Sequence, residues 1–185
     1  MFPADLAAIH PGQVHELWAY NNSLLKTWLE LGEAKCRLAS DRMPAPEIRH
    51  SMSLTASPDR VFAALTDPAE ITHWNALAPA PRCDRVVGGR YGFGWKGEAD
   101  ETDGPGEILA FDPGRRLTYQ WHGDAPTVVR WDLAPLPDGG TQLTLVHAGF
   151  LIDRNMMVDH NLGWADFLAC LAIYVERGVS AGWSV

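Results

Sequence analysis

The chain has 185 residues, 46% of them hydrophobic and 21% charged, a composition that fits one globular domain with an appendage and excludes both disorder and a disulfide-stapled scaffold. Lys and Arg number 15 against 23 Asp and Glu, a net charge of −8 with no basic run, so nucleic acid is not an expected partner. Cys36, Cys83 and Cys170 are isolated and in no C-x-x-C spacing. Together with a start lacking a cationic leader and no apolar run near ~18 residues, they point to a reducing compartment: a cytoplasmic protein without membrane insertion.

From Pro11 to about Ser40 the spacing predicts a helix. Val14, Leu17, Asn21, Leu24, Trp28, Leu31, Lys35 and Leu38 alternate at three and four residues, with Trp18 and Leu25 beside them, which draws one stripe along a helical surface. Asp41-Arg42-Met43-Pro44-Ala45-Pro46 ends it, because two prolines cannot continue a helix. Residues 1–45 therefore read as a helical extension and residues 46–180 as the domain. The stripe has to be buried somewhere: on the chain's own domain, on a second copy or on another partner. Asn21 and Lys35 are poor interior residues for a long coiled coil, which favours docking within the molecule and leaves a homodimer through the arm as the alternative.

After the prolines the period changes to two. Ile48, His50, Met52 and Leu54 share one face of a half-buried strand. Ser57-Pro58 and Asp67-Pro68 are helix starts, a capping side chain followed by proline at the first helical position, and the second short helix runs to about Trp74. From Asp84 to His147 short alternating runs are separated by glycine and proline turns: Tyr91, Phe93 and Trp95; Leu109 and Phe111; Leu117, Tyr119 and Trp121; Val129, Trp131 and Leu133; Leu143, Leu145 and His147. Such short links join antiparallel neighbours. Met156 to about Arg177 returns to helical period, and Gly178 stops it.

An antiparallel sheet with one apolar face has to cover that face, and the C-terminal helix is the long element left to do so. The expected fold is α+β, a helix-grip architecture: a curved antiparallel sheet of about seven strands around a long C-terminal helix, with two short helices after the first strand. Sheet twist makes a cavity between sheet and helix a natural consequence.

The sequence resembles the SRPBCC or START-like superfamily, and within it the group named after the activator of the heat-shock chaperone ATPase. The likeness is in Ser57-Pro58-Asp59-Arg60-Val61-Phe62-Ala63-Ala64-Leu65-Thr66-Asp67-Pro68 with Trp74, in Gly88-Gly89-Arg90-Tyr91, in Gly106-Glu107-Ile108 through Leu117-Thr118-Tyr119-Gln120-Trp121, in Gly139-Gly140-Thr141 to Gly149-Phe150, and in Gly163-Trp164. These blocks span about Pro46 to Gly178. The resemblance implies the helix-grip fold. Its members serve as lipid carriers, cyclases, plant ligand-binding proteins and co-chaperones, so it leaves function open. The arm before Pro44 departs from what single-domain members carry.

Eight tryptophans mark the interior as aromatic. Trp74, Phe93, Trp95, Tyr119, Trp121, His147, Trp164 and Phe167 are the candidate walls for a small hydrophobic or amphipathic molecule, since tryptophan and tyrosine combine large apolar area with a polar handle. The plain alternative is that these rings fill the space under the helix. His147 shares the face of Leu143 and Leu145 and would point inward as acid, base or ligand anchor, or else as a hydrogen-bonded core histidine. His50 has the same two readings. Glu98, Asp100, Glu101 and Asp103 match no calcium loop and read as a solvated turn, while Arg130 and Asp132 read as a surface pair. No nucleophile elbow, phosphate loop or metal-ligand spacing is present, so neither cofactor nor metal is expected and no catalytic residue is identified. Ligand binding leads, with a cyclase, dehydratase or hydrolase in the same cavity and a co-chaperone with a chaperone partner as alternatives.

Overall fold

A computed structural model describes residues 22, 24–33, 35, 47–94, 104–123, 125–150 and 154–180. Trp95 and the acidic turn of residues 98–103 lie outside the described residues.

The domain begins with β1 (Glu47–Leu54), followed by α2 (Pro58–Thr66) and α3 (Pro68–Trp74); helical residues 24–31 of the arm are α1. Then come β2 (Arg82–Cys83), β3 (Tyr91–Gly92), β4 (Gly104–Asp112), β5 (Arg116–His122), β6 (Thr127–Pro135), β7 (Thr141–Ala148) and α4 (Arg154–Arg177). The expected strands are present in two sheets: five strands in the order β1-β7-β6-β5-β4, and a separate pair, β2 and β3. All pairings are antiparallel. The helix-grip fold is thus the observed one.

Register puts inward residues of all five strands in one row: Ile48, His147, Val129, Tyr119 and Ile108. All five are fully buried. The next row runs His50, Leu145, Trp131, Leu117 and Phe111. Strict alternation predicts Leu109 as Phe111's inward companion, and the structure differs: irregular register on both sides of Ile108 turns Ile108 to the core and leaves Leu109 43% exposed.

The helix starts form as their chemistry dictates. Ser57 Oγ accepts from the Arg60 amide at 3.4 Å and Asp67 Oδ1 from the Ala69 amide at 2.9 Å, each ahead of a proline in the first turn. At the other end of α4, Gly178 takes φ 67° and donates its amide to Tyr174 O at 2.8 Å. Arg60 of α2 pairs with Glu70 of α3 and lies 4.9 Å from the ring centroid of Tyr174 on α4, joining the three helices at one end of the grip.

Of the expected arm helix, residues 11–21 and 36–40, with Val14, Leu17, Trp18, Asn21 and Leu38, lie outside the described residues, and α1 stops before Lys35, which the stripe places on the helix. Gly32 has φ 77° and donates its amide to Trp28 O at 3.0 Å, a left-handed stop after which Lys35 is not helical. Lys35, expected on the helical stripe, instead turns inward. Its Nζ lies 2.8 Å from Glu176 Oε1 on α4 and donates to Ser53 O at 2.9 Å.

Candidate functional site

The inward faces of β5, β6 and β7 and the sheet-facing side of α4 enclose a continuous body of aromatic rings. His147 is at one end of it. Strand alternation points the imidazole under α4, where it is fully buried. Trp164 Nε1 donates to His147 Nδ1 at 2.9 Å, and Nε2 lies 2.6 Å from Thr127 Oγ1. An indole N–H can only donate, so Nδ1 carries no proton, the imidazole is the neutral Nε2–H tautomer, and Nε2–H donates to Thr127. Burial lowers the His147 pKa to about 3, with the neighbouring His160 pushing the same way. The bonds come from an indole and a hydroxyl. Both nitrogens are engaged, so the side chain anchors structure and has no lone pair left to take a proton from a substrate.

Four rings surround this imidazole: Phe150 at 4.5 Å between centroids, His160 at 5.1 Å, Trp121 at 5.4 Å and Trp164 at 5.8 Å. The chain of contacts continues along α4. Trp164 meets Trp121 at 5.2 Å and Phe167 at 5.6 Å; Phe167 meets Phe93 at 5.9 Å and Trp74 at 6.3 Å; Tyr91 joins Phe93 to Tyr119. Most of these pairs are edge-to-face, the arrangement ring quadrupoles favour. Seven of the eight expected wall residues, Trp74, Phe93, Tyr119, Trp121, His147, Trp164 and Phe167, therefore stand in one connected network. The eighth, Trp95, lies outside the described residues.

The polar handles of the wall are directed into the protein. Trp74 Nε1 donates to Ala64 O at 2.8 Å, Tyr91 Oη to Leu65 O at 2.8 Å, and Trp131 Nε1 to Tyr119 Oη at 3.2 Å. Burial raises the pKa of both tyrosines. His50 is buried between β1 and α4, and burial lowers its pKa against an opposing influence from Asn161. Arg130 Nε approaches Asp132 Oδ2 at 2.7 Å on the outer sheet face, the surface pair that alternation predicts.

The wall reaches the surface along one edge of α4. His160, Gly163 and Phe167 follow at spacings of three and four and are all half-buried, although the rings they touch are buried. Gly163 makes a notch in that edge. A methyl group there would meet nothing within 4 Å among the described residues apart from its chain neighbours and the helix's own backbone. His160 meets Trp121 at 5.5 Å and Phe167 meets Trp164 at 5.6 Å, so the two half-buried rings that flank Gly163 are each backed by a buried tryptophan.

The sequence reading does not place Phe150, His160, Thr127 or Gly163 at the site, although Phe150 and Gly163 stand in the blocks that carry the family likeness. Phe150 follows a turn at Gly149, which has φ 101°, so no strand period points it inward. His160 and Gly163 fall on the α4 edge, a position that shows only once the docking angle of the helix is known. No group of three His, Cys, Asp or Glu side chains able to hold a metal ion occurs among the described residues, and no described helix is long and apolar enough to cross a membrane.

Comparison with known proteins bears on the same region. The family described as Activator of Hsp90 ATPase homolog 1-like protein matches residues 55–176, from the end of β1 to the end of α4. Among solved structures, the chain is similar to the protein MLL2253 from Mesorhizobium loti, with 27% identity, TM-score 0.58, and 71% of this chain and 97% of that one covered. CalU16 from Micromonospora echinospora shows 29% identity and TM-score 0.57 over 71% of this chain and 74% of its own. DynU16, a protein of the dynemicin biosynthetic locus, shows 25% identity and TM-score 0.59 over 76% of this chain, which spans about half (51%) of DynU16. No curated protein matches. The family match leaves the arm outside it.

Proposed function

The chain belongs to the Activator of Hsp90 ATPase homolog 1-like family, and we propose that it binds a small hydrophobic or amphipathic molecule against the aromatic wall between sheet and α4. The observation that carries this reading is the notch at Gly163. A glycine in the middle of a 24-residue helix costs about 0.5–1 kcal/mol relative to alanine, and no backbone need is evident, since its φ is not positive. We read the missing side chain as room for a ligand ring between His160 and Phe167, next to the buried Trp121 and Trp164 that those two rings contact. A flat ring fits such a surface by edge-to-face and stacked contact, and an attached polar group would meet the imidazole of His160 at the rim. The biosynthetic setting of DynU16 agrees with a small-molecule ligand.

Tryptophan emission titrated with 1-anilinonaphthalene-8-sulfonate and with a long-chain fatty acid tests the reading, in the parent chain and in Gly163→Phe. The parent is expected to respond saturably to one of them. Gly163→Phe, with unchanged circular dichroism, is expected to bind at least about tenfold more weakly, a loss of ~1.4 kcal/mol. No saturable response, or equal response in both proteins, would refute it.

The family name supports a second reading, a co-chaperone that acts on the Hsp90 ATPase. Its test is the ATPase rate of purified Hsp90 with and without the chain; no acceleration would dismiss it. For the enzymatic reading, the engaged nitrogens of His147 remove the base that sequence offers first.

A further inference from the structure

We propose that α1 is a releasable strap on the outward face of α4, latched by the ion pair of Lys35 and Glu176. The starting observation is that α4 is buried all round in its C-terminal half. Every residue from Leu168 to Tyr174 is buried. A helix laid on one sheet keeps a solvent-facing stripe, so burial on every side requires cover on the side away from the sheet.

Spacing identifies that side. Asp166, Ala169, Cys170, Ile173 and Glu176 fall three and four apart on one stripe of α4. Trp164, Leu168 and Leu171 belong to the core cluster shared with the sheet, and Cys170 joins it from the edge of the stripe, whereas Ala169 and Ile173 are buried outside that cluster. The stripe faces the arm: the charge of Lys26 on α1 acts on the Cys170 thiol, and Lys35 reaches Glu176. The arm thus runs beside α4 in the same direction, and Leu24 and Leu31 pack against the core. Ala169 is 0%, Ile173 1% and Cys170 5% exposed beneath it.

The latch is built at the end of the strap. Lys35 Nζ bridges Glu176 Oε1 on α4 and Ser53 O on β1, and the same carboxylate oxygen accepts from the Thr55 amide at 2.9 Å. The Lys35 amide donates to Thr27 Oγ1 at 3.2 Å, which ties the turn after α1 back onto the helix. Lys35 and Glu176 side chains are only 6% and 8% exposed, so the pair is little screened and its loss leaves a buried charge. Among the described residues of α1, the apolar face is only partly used. Leu24 and Leu31 are only partly buried, whereas Leu25, Trp28 and Leu29 stay 54%, 57% and 65% exposed on the docked helix. A helix that keeps large apolar side chains in solvent while a buried ion pair clamps its end opens locally, without unfolding of the core. Release would bare the Ala169–Cys170–Ile173 stripe, an apolar strip of the kind another helix packs against.

Thiol labelling reads this directly. In a Cys36→Ser, Cys83→Ser background, Cys170 is the single thiol, and its reaction with 5,5′-dithiobis(2-nitrobenzoate) is followed in low concentrations of urea. The strap account expects labelling in the otherwise parental protein to be nearly independent of urea, the mark of local opening, and to accelerate at least about tenfold in Lys35→Met and in Glu176→Gln. Near-ultraviolet circular dichroism in both variants is expected to show the core intact. Labelling that rises with urea in step with global unfolding in all three proteins, or that is equally slow in both latch variants, would overturn it. Ligand titration plays no part, so this result stands apart from the test at Gly163.

Discussion

The Trp164 indole N–H of α4 donates to His147 Nδ1 of β7 at 2.9 Å, so this hydrogen bond clasps the gripped helix to β7 and fixes the tautomer of a buried imidazole. From it follow the neutrality of His147, the donation to Thr127 and the seating of Trp164 among four other rings.

Trp164→Phe keeps an aromatic ring at the centre of the wall and removes the donor. His147 Nδ1 is then a buried acceptor without its partner. The expected cost is about 1–3 kcal/mol in urea unfolding, with the larger values including the space left by the smaller ring. A change below ~0.5 kcal/mol would show that the clasp contributes nothing measurable.

Acid should destabilise the fold through His147. In the unfolded chain the imidazole takes up a proton near its ordinary value of 6.5, whereas the folded protein resists protonation until about pH 3. Between those values the unfolded state binds more protons, so stability falls as pH falls, by about 1.4 kcal/mol per unit and about 2 kcal/mol by pH 5. His50, whose pKa is also lowered, adds in the same direction. In His147→Gln, where the amide can accept from Trp164 and donate to Thr127, urea midpoints between pH 7.5 and 5 should slope less steeply. An unchanged slope would place the acid sensitivity elsewhere.

Gly163→Ala should stabilise the protein by about 0.5–1 kcal/mol, because beyond its own turn of helix the added methyl meets no described atom within 4 Å and the helix gains a better former. Thermal denaturation measures it. A loss of stability would mean the notch is already filled.

The opposite outcome is expected at Gly140, where the turn between β6 and β7 meets the end of β1. A Cβ there would lie 2.4 Å from Leu54 O and 3.1 Å from Asp138 Oδ1. The first neighbour is backbone, fixed by pairing of Leu54 with Thr141, and cannot swing aside. Gly140→Ala should cost about 1–3 kcal/mol by urea unfolding.

Local rules act strongly in some places and are overruled in others. Ser57-Pro58 and Asp67-Pro68 start helices where their capping chemistry requires, and the period-two face of Ile48, His50, Met52 and Leu54 is the buried face of β1. The family blocks from Ser57 onward lie within the matched region. Alternation failed at Leu109, where register shifts around Ile108 exchange inside for outside, since a bulge has no fixed signal in a single sequence. Helical spacing ran past Gly32 because the stripe continues through Lys35 on paper, whereas the left-handed glycine turns the chain toward Glu176. His147 was legible as inward-facing but not as engaged: Thr127 and Trp164 are 20 and 17 residues away in sequence, and only tertiary packing brings them to the ring.

The central claim is that a small apolar molecule seats on the Trp121–Trp164 surface through the Gly163 notch, and indole ¹⁵N–¹H spectra test it most directly. Eight tryptophans give eight Nε1–H signals. Titration with 1-anilinonaphthalene-8-sulfonate or a long-chain fatty acid should move the Trp121 and Trp164 signals saturably, leave that of Trp28 on the arm in place, and lose its effect in Gly163→Phe. Trp121 and Trp164 signals that stay fixed to saturating ligand, or a shift at Trp28 alone, would contradict the account.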